Sequence, residues 1–154
     1  MVVVTAIDPD GQPAGMSVGT FTSVSLDPPL VAFMAASTST SYSRIRASGS
    51  FCINVLSAGQ EPLCRSFAAR GSNKFDGVAW QAAGSGSPIL GGVVAWIDCD
   101  IDAVHRAGDH DVVIGRVRAL DVASVDVPLL FFRGAFGEFV ATSLTAPAQP
   151  DLLG

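Results

Sequence analysis

The sequence feature that most restricts the fold is a series of short apolar runs, each of strand length and each bounded by turn-forming residues. Residues 30–36 (LVAFMAA) are the longest unbroken run. A run of this length suits a strand covered on both faces, whereas a membrane-spanning helix needs about 20 apolar residues. The chain is therefore predicted to consist mainly of strands and to have no membrane partner.

Alternating and β-branched patterns predict about seven or eight strands. Extended patterns cover residues 2–7, 12–20, 30–36, 51–56, 93–122, 129–132 and 135–140. Residues 20–25 are predicted to be a polar loop. Two short helices are expected, one after residues 37–41 and one after Ser57, whose spacing to Gln60 is that of a capping box. Because most strands are sequential, an antiparallel barrel is favoured over a doubly wound sheet.

Composition excludes several classes of protein. Of 154 residues, 49% are hydrophobic and 15% are charged. This length and apolar content suffice for the core of one folded domain, and they exclude a disordered chain. The net charge is −5 and Lys74 is the only lysine, so no nucleic-acid partner is expected. Three cysteines without a CxxC pair, and no basic leader segment, predict reduced thiols and a cytoplasmic location. The low charge also favours a surface buried against a partner subunit.

Three motifs have structural explanations that outweigh the chemical ones. Residues 15–19 (GMSVG) match the GxSxG of serine hydrolases, but the residues that follow cannot form the helix this motif requires. Gly84-Ser85-Gly86 lacks the third glycine of a dinucleotide fingerprint. The aspartates of residues 97–102 (IDCDID) predict the solvated face of a strand, and without an HxH or HxxxH pair no metal site is predicted.

A run of five hydroxyl residues, 37–41 (STSTS), lies between the apolar run and a predicted helix. Serine and threonine cap helix N-termini, where free N–H groups and the helix dipole also attract anions. The run therefore predicts either a phosphate site or simple helix capping. Beside an anion site, Lys74 would supply a cation and Phe75 a flat apolar face.

Six segments taken together, in chain order, resemble the short-chain flavin reductase family. They are GMSVGTFTSVSLDPPL (15–30), STSTSYSRI (37–45), FCINVL (51–56), FAARGSNKF (67–75), GDH (108–110) and RG (133–134). The resemblance implies a homodimeric, antiparallel Greek-key split β-barrel over residues 1–140, with residues 141–154 as a tail or arm. It implies hydride transfer from NADH or NADPH to FMN or FAD. The reduced flavin would then diffuse to a partner monooxygenase.

The resemblance also implies which residues contact flavin and nicotinamide. The loop with Thr20, Thr22, Ser23 and Val24 would face the isoalloxazine ring, and residues 37–41 would hold the ribityl phosphate. Lys74 and Phe75 would lie beside the phosphate or adenylate end. His110, the candidate catalytic residue, and Arg133 would lie on the nicotinamide side. The implied set is Gly19, Thr20, Thr22, Ser23, Val24, Ser37, Thr38, Ser39, Thr40, Ser41, Lys74, Phe75, His110 and Arg133. Both aspartates that flank His110, Asp109 and Asp111, are expected to orient its ring.

The chain departs from the family pattern at three points. Many relatives have Asn at the position of Gly19, so one side-chain contact to flavin is expected to be lost. Relatives often carry Arg or Lys where this chain has Ala36 and Ser37, which leaves Lys74 and the helix N-terminus to offset phosphate charge. Relatives usually have a helix before the first strand, whereas this chain starts within that strand, so the helix is missing or the start is truncated.

The resemblance leaves alternatives open. A flavin-binding carrier or sensor without turnover is the main alternative, since fold does not determine function. A serine hydrolase that uses Ser17 is a third. The sequence does not distinguish FMN from FAD or NADH from NADPH, and it does not identify the partner oxygenase.

Overall fold

The computed structural model describes residues 1–71 and 73–143, and the predicted tail from residue 144 onward lies outside them. The strands are β1 (Val2–Ile7), β2 (Pro13–Val18), β3 (Thr22–Leu26), β4 (Pro29–Ala36), β5 (Ser50–Val55), β6 (Trp80–Ala82), β7 (Pro88–Leu90), β8 (Ala95–Ala107), β9 (His110–Val122), β10 (Leu129–Phe132) and β11 (Ala135–Glu138). The helices are α1 (Thr40–Ser48) and α2 (Glu61–Ala68). The prediction of a mainly β chain with two short helices is confirmed.

Seven strands form one antiparallel sheet in the order β2-β1-β5-β8-β9-β4-β3. The long β8–β9 hairpin turns at Gly108, which has a φ of +65° that glycine adopts without strain. The pairs β6–β7 and β10–β11 form separate two-stranded sheets. The hydrogen-bonded order ends at β2 and β3, so this large sheet is open.

Each helix covers one of two apolar clusters. Tyr42 and Ile45 of α1 pack with Phe33 and Phe51, whose rings meet edge to face at 5.1 Å. Cys64 and Phe67 of α2 instead pack with side chains from β1, β7 and β10. Because successive strand residues point to opposite faces, β1 contributes Val3 to the second cluster and Val2, Val4 and Ala6 to the first.

Local signals in the sequence correctly placed both helices. Ser39 caps α1 by accepting a hydrogen bond from the Tyr42 amide at 3.2 Å, and Gly49 ends the helix at a φ of +78°. A single 3₁₀ turn, Ala58–Gln60, leads into α2. The Ser57 amide donates to the Gln60 side chain at 3.0 Å, as the capping-box spacing predicts. Within the described residues, neither helix has the length and apolar character needed to cross a bilayer.

Two expectations for the β3–β4 region are wrong. Residues 22–26 form β3 and pair with β4, with a bulge between Ser23 and Ser25, whereas a loop was predicted. The strand lacks an alternating pattern because it is an edge strand with mostly exposed side chains on both faces. The apolar run in β4 is only partly covered on both faces, because Met34 is 37% exposed.

The aspartates of β8 do not share one solvated face. Asp100 and Asp102 form ion pairs with Arg118 and Arg116, at 2.9 and 2.8 Å. Asp98, however, is fully buried and accepts hydrogen bonds from the amide and hydroxyl of Ser85. A bulge at Asp98 shifts the register of β8, and the loop before β7 folds over this carboxylate. Both features depend on residues distant in the chain.

Candidate functional site

A cleft of about 630 Å³ lies between the start of α1, the strand β2 and the end of α2. This α1 cleft is lined by Met16, Ser17, Ala36, Thr38, Ser39, Thr40, Ser41, Phe67, Ala68, Ala69, Arg70, Gly71 and Lys74. Its volume is in the range of small-molecule sites. Two of these lining residues are cations and none is a carboxylate. The α1 cleft therefore favours an anion, although the chain carries a net charge of −5.

The hydroxyl run takes part in both capping and lining. Ser39 both caps the helix and lines the α1 cleft, together with Thr38, Thr40 and Ser41 at the first turn of α1. The first amides of a helix have no partner within the helix, and the dipole makes this end positive. The two interpretations of the run, capping and an anion site, are thus compatible.

Lys74 connects the three elements around the α1 cleft. Its ammonium donates to the carbonyls of Gly15 on β2 and Phe67 on α2, at 3.3 and 2.9 Å, and to the Ser41 hydroxyl at 3.0 Å. Burial, with a smaller contribution from Arg44, lowers the Lys74 pKa from its usual value of 10.5. The cation is therefore held in place by the protein itself.

Close packing between β2 and α2 supports the walls of the α1 cleft. A Cβ added at Gly15 would lie 2.5 Å from the Phe67 ring, so only glycine lets β2 approach α2 this closely. Phe75 packs edge to face on Phe67 at 5.0 Å and is not among the residues that line the α1 cleft. Its predicted contact with flavin stays a prediction.

The predicted isoalloxazine segment lies along the sheet edge that leads to the α1 cleft. The Thr20 hydroxyl donates to the Met34 carbonyl and accepts from the Met34 amide, both at 3.0 Å. Thr22, Ser23 and Val24 follow on β3 with exposed side chains. Gly19 lies near Met1, at one side of a separate small cavity. Since Met34 is two residues from the lining residue Ala36, Thr20 lies close to the α1 cleft.

His110 begins β9 opposite Ala36, a lining residue of the α1 cleft. Its Nδ1 lies 2.8 Å from the Asp109 carboxylate, and this hydrogen bond is the main reason that the pKa of Asp109 is lowered. The amide and hydroxyl of Ser37 both donate to the Asp109 carbonyl at 3.0 Å. The structure thus brings His110 and the hydroxyl run together.

The two aspartates beside His110 contact different partners. Asp109 contacts the ring as predicted, whereas Asp111 does not. The Asp111 carboxylate accepts from the Tyr42 hydroxyl at 2.8 Å on the buried side of β9. Consecutive strand residues face opposite sides of a sheet, so His110 and Asp111 point apart.

Arg133 is not among the residues that line the α1 cleft. It occupies the β10–β11 turn at a φ of +51°, with its guanidinium 5.3 Å from the ring of Phe132. This hairpin packs toward α2 through Phe136, 4.7 Å from the Arg65 guanidinium. The predicted meeting of Arg133 with His110 stays a prediction.

Sequence reasoning missed several residues of the α1 cleft, notably Ser17 and Arg70. Both lie inside the segments that carry the family resemblance, at residues 15–30 and 67–75. In the sequence, Ser17 is distinguished only by the GxSxG match, and it lies within a regular strand rather than at a strand-to-helix turn. The alternation along β2 carries no signal for a neighbour on α2.

The fold and the α1 cleft define an antiparallel β protein with a cation-lined cleft at a helix N-terminus. A family model described as flavin reductase like domain matches residues 1–139. The chain belongs to this family, and the predicted family is confirmed.

Three related proteins match this chain along most of their own length. A flavin reductase from Pseudomonas putida is 55% identical over 138 residues, which are 90% of this chain and 81% of that protein. A crystal structure of nitrilotriacetate monooxygenase component B from Mycobacterium thermoresistibile has a TM-score of 0.89 and 37% identity, over 99% of this chain and 86% of that one. The NADH:FAD oxidoreductase SgcE6 of Streptomyces globisporus, solved with NAD and FAD fragments, has a TM-score of 0.85 and 35% identity, over 92% and 86%.

The α1 cleft fits the phosphate of a flavin nucleotide. Phosphate oxygens accept hydrogen bonds and carry negative charge, and the cleft offers hydroxyls, helix amides and the Lys74 ammonium. The Lys74 charge is fixed beside the cleft by its three hydrogen bonds to protein oxygens.

Proposed function

We propose that this chain is an NAD(P)H-dependent flavin reductase that supplies reduced flavin to a partner monooxygenase. The observation that carries the proposal is the α1 cleft, with two cations, four hydroxyl residues of the run and no carboxylate among its lining residues. Family membership and the names of its relatives, flavin reductase and monooxygenase component, support the same activity.

In this proposal the α1 cleft binds the flavin phosphate. Thr38, Thr40 and Ser41 donate hydrogen bonds from their hydroxyls, and Lys74 neutralises charge. A bound flavin would supply the acceptor for a hydride from the nicotinamide, and solvent would supply the one proton that completes the two-electron reduction. No strong acid or base is required for hydride transfer, so the protein contributes stacking geometry and polar contacts. The exposed hydroxyls of Thr22 and Ser23 would face the isoalloxazine ring.

His110 and Arg133 form the nicotinamide side of the proposed site. His110 is 46% exposed and is steadied by Asp109, which leaves a ring nitrogen free to bond the nicotinamide carboxamide. Arg133 would pair with the pyrophosphate, for which a guanidinium is well suited.

We also propose that the chain forms a homodimeric split barrel. Four exposed apolar residues lie on β3, close to the β3–β4 turn, and on the last residues of β9: Val24, Leu26, Leu120 and Val122. On this apolar edge, β4 pairs with β9 only as far as Arg116, so among the described residues the rest of that edge of β9 has no strand partner. An apolar surface of this kind is typical of an interface between subunits.

A reducing, cytoplasmic compartment is proposed for the same protein. Cys52, Cys64 and Cys99 are buried, free thiols in the described part of the chain. Disulfides are rare in the cytosol, where such thiols stay reduced.

Steady-state kinetics with each of FMN and FAD, combined with each of NADH and NADPH, test the proposed activity. We expect catalytic bleaching of flavin absorbance in at least one pair. Tight flavin binding without nicotinamide oxidation would contradict the reductase and support a carrier or sensor.

His110→Ala tests the assignment of the nicotinamide side. We expect kcat/KM for the nicotinamide to fall by about 2- to 150-fold, because one hydrogen bond to a polar or charged group is lost. Flavin affinity, measured by fluorescence quenching, should stay within about twofold. Release of flavin with unchanged nicotinamide kinetics would contradict the assignment.

A further inference from the structure

Asp111 is a buried carboxylate with a complete set of partners. Its side chain is only 4% exposed. One oxygen accepts from the Tyr42 hydroxyl at 2.8 Å and from Arg46 Nη1 at 3.2 Å, and the other lies 3.5 Å from Arg106 Nη1. A buried charge persists only when it is paired and hydrogen-bonded. The carboxylate therefore joins β9 firmly to α1.

Tyr42 links this carboxylate to the helix end that forms the α1 cleft. Its ring is 2% exposed, and its amide donates to Ser39, the cap of α1. Burial first, and then the hydrogen bond to Asp111, raise the Tyr42 pKa to about 12. The hydroxyl keeps its proton and donates it to Asp111 across the physiological range.

The turn that carries His110 is thus fixed on both sides. Before His110, the Asp109 carbonyl accepts two hydrogen bonds from Ser37, at the start of the hydroxyl run. After His110, Asp111 accepts from Tyr42, just past the end of the run. Two attachments that bracket both segments set the distance and angle between the α1 cleft and the imidazole.

We infer that Asp111 is a positioning residue for nicotinamide oxidation, which acts with Tyr42 to hold His110 in register with the α1 cleft. This inference rests on the proposed function, in which the α1 cleft holds the flavin phosphate and His110 contacts the nicotinamide. Asp111 touches neither ligand and acts through the backbone of β9.

The chain offers a matched control on the other side of the same helix. Asp8, in the β1–β2 turn, is also a largely buried carboxylate, with its side chain 7% exposed. It pairs with Arg44 of α1 at 2.7 Å. Asp8→Asn and Asp111→Asn each remove one charge that anchors α1, but only Asp111 adjoins His110.

The experiment compares Asp111→Asn, Tyr42→Phe and Asp8→Asn, each alone and combined with His110→Ala. For each variant we would measure kcat/KM for NADH, the flavin Kd and the thermal midpoint. Tyr42→Phe removes one oxygen and keeps the ring, so it serves if Asp111→Asn does not fold. We expect Asp111→Asn and Tyr42→Phe to lower kcat/KM by about 2- to 30-fold, the effect of one hydrogen bond, with flavin Kd within about twofold.

Combination with His110→Ala separates positioning from stability. In that background, Tyr42→Phe and Asp111→Asn should cost no further kcat/KM, because the group they position is absent. Asp8→Asn should leave kcat/KM unchanged in either background. A loss in His110→Ala, with none in Asp111→Asn or Tyr42→Phe, would overturn this inference alone. An unchanged kcat/KM in His110→Ala would overturn the proposed role of His110 and the inference with it.

Discussion

The α1 cleft and the apolar edge are surfaces of opposite kinds on one sheet. In the α1 cleft, Ser39 and Lys74 are already bonded to the protein, with Lys74 donating to three oxygens. On the apolar edge, Leu120 and Val122 are 61% and 70% exposed, next to a stretch of β9 beyond its pairing with β4.

This difference indicates what each surface requires. A pre-positioned cation loses little entropy when an anion binds, and Lys74 is fixed by groups of its own chain. Exposed apolar side chains gain free energy only when another surface removes them from water. The α1 cleft and the proposed interface should therefore respond to different substitutions.

The largest effect is expected on dimer affinity, from substitutions on the apolar edge that leave the residues of the α1 cleft unchanged. Leu120→Asp combined with Val122→Asp should raise the dimer Kd by at least about 100-fold, because two apolar contacts are lost and unpaired charges are buried. Sedimentation velocity over a concentration series measures this change. Gln12→Asp adds charge at an exposed turn and should leave the dimer intact. An unchanged dimer in the double variant would place the interface elsewhere.

The next largest effect is expected on flavin affinity, from a substitution in the α1 cleft that leaves the apolar edge unchanged. Lys74→Met keeps the length of the side chain and removes its charge, so the Kd for FMN should rise by about 10- to 100-fold. Quenching of flavin fluorescence measures it. Arg65→Met removes an α2 cation that pairs with Glu61 in solvent, and it should change the Kd by less than about twofold. Equal Kd values for the two variants would argue against phosphate binding by Lys74.

The smallest effect is expected on stability, from a substitution at Asp8, which attaches α1 on the side away from His110. Hydrogen bonds from the Gln12 amide and the Arg44 side chain hold the Asp8 pKa below its ordinary value of 3.8. Ionised Asp8 therefore stabilises the fold at neutral pH, and this contribution is lost as the pH falls below 3.8 toward the folded-state pKa.

Asp8→Asn should thus lower stability at pH 7 and flatten its decline in acid. Denaturant unfolding at several pH values measures both changes. Flavin Kd and oligomeric state should be those of the parent chain. An acid profile that matches the parent would show that Asp8 does not contribute through its charge.

Features that depend on a few neighbouring residues were predictable from the sequence. The β1–β2 turn closes locally, since the Asp8 carboxylate accepts from the amides of Asp10 and Gln12. The cap of α1, its end at Gly49 and the Arg133-Gly134 turn are equally local. The hydroxyl run predicted the cap of α1 for the same reason, because Ser39 and the helix amides it caps are contiguous in the chain.

Only the tertiary structure decided which polar residues are buried and what they contact. Asp98 and Asp100 have the same residue type and spacing, yet one is covered by a loop and the other pairs with Arg118 in solvent. Lys74 reaches a carbonyl 59 residues away, and Asp111 reaches a hydroxyl 69 residues away. Local periodicity specifies which face a side chain occupies, whereas its partner depends on how distant segments pack against that face.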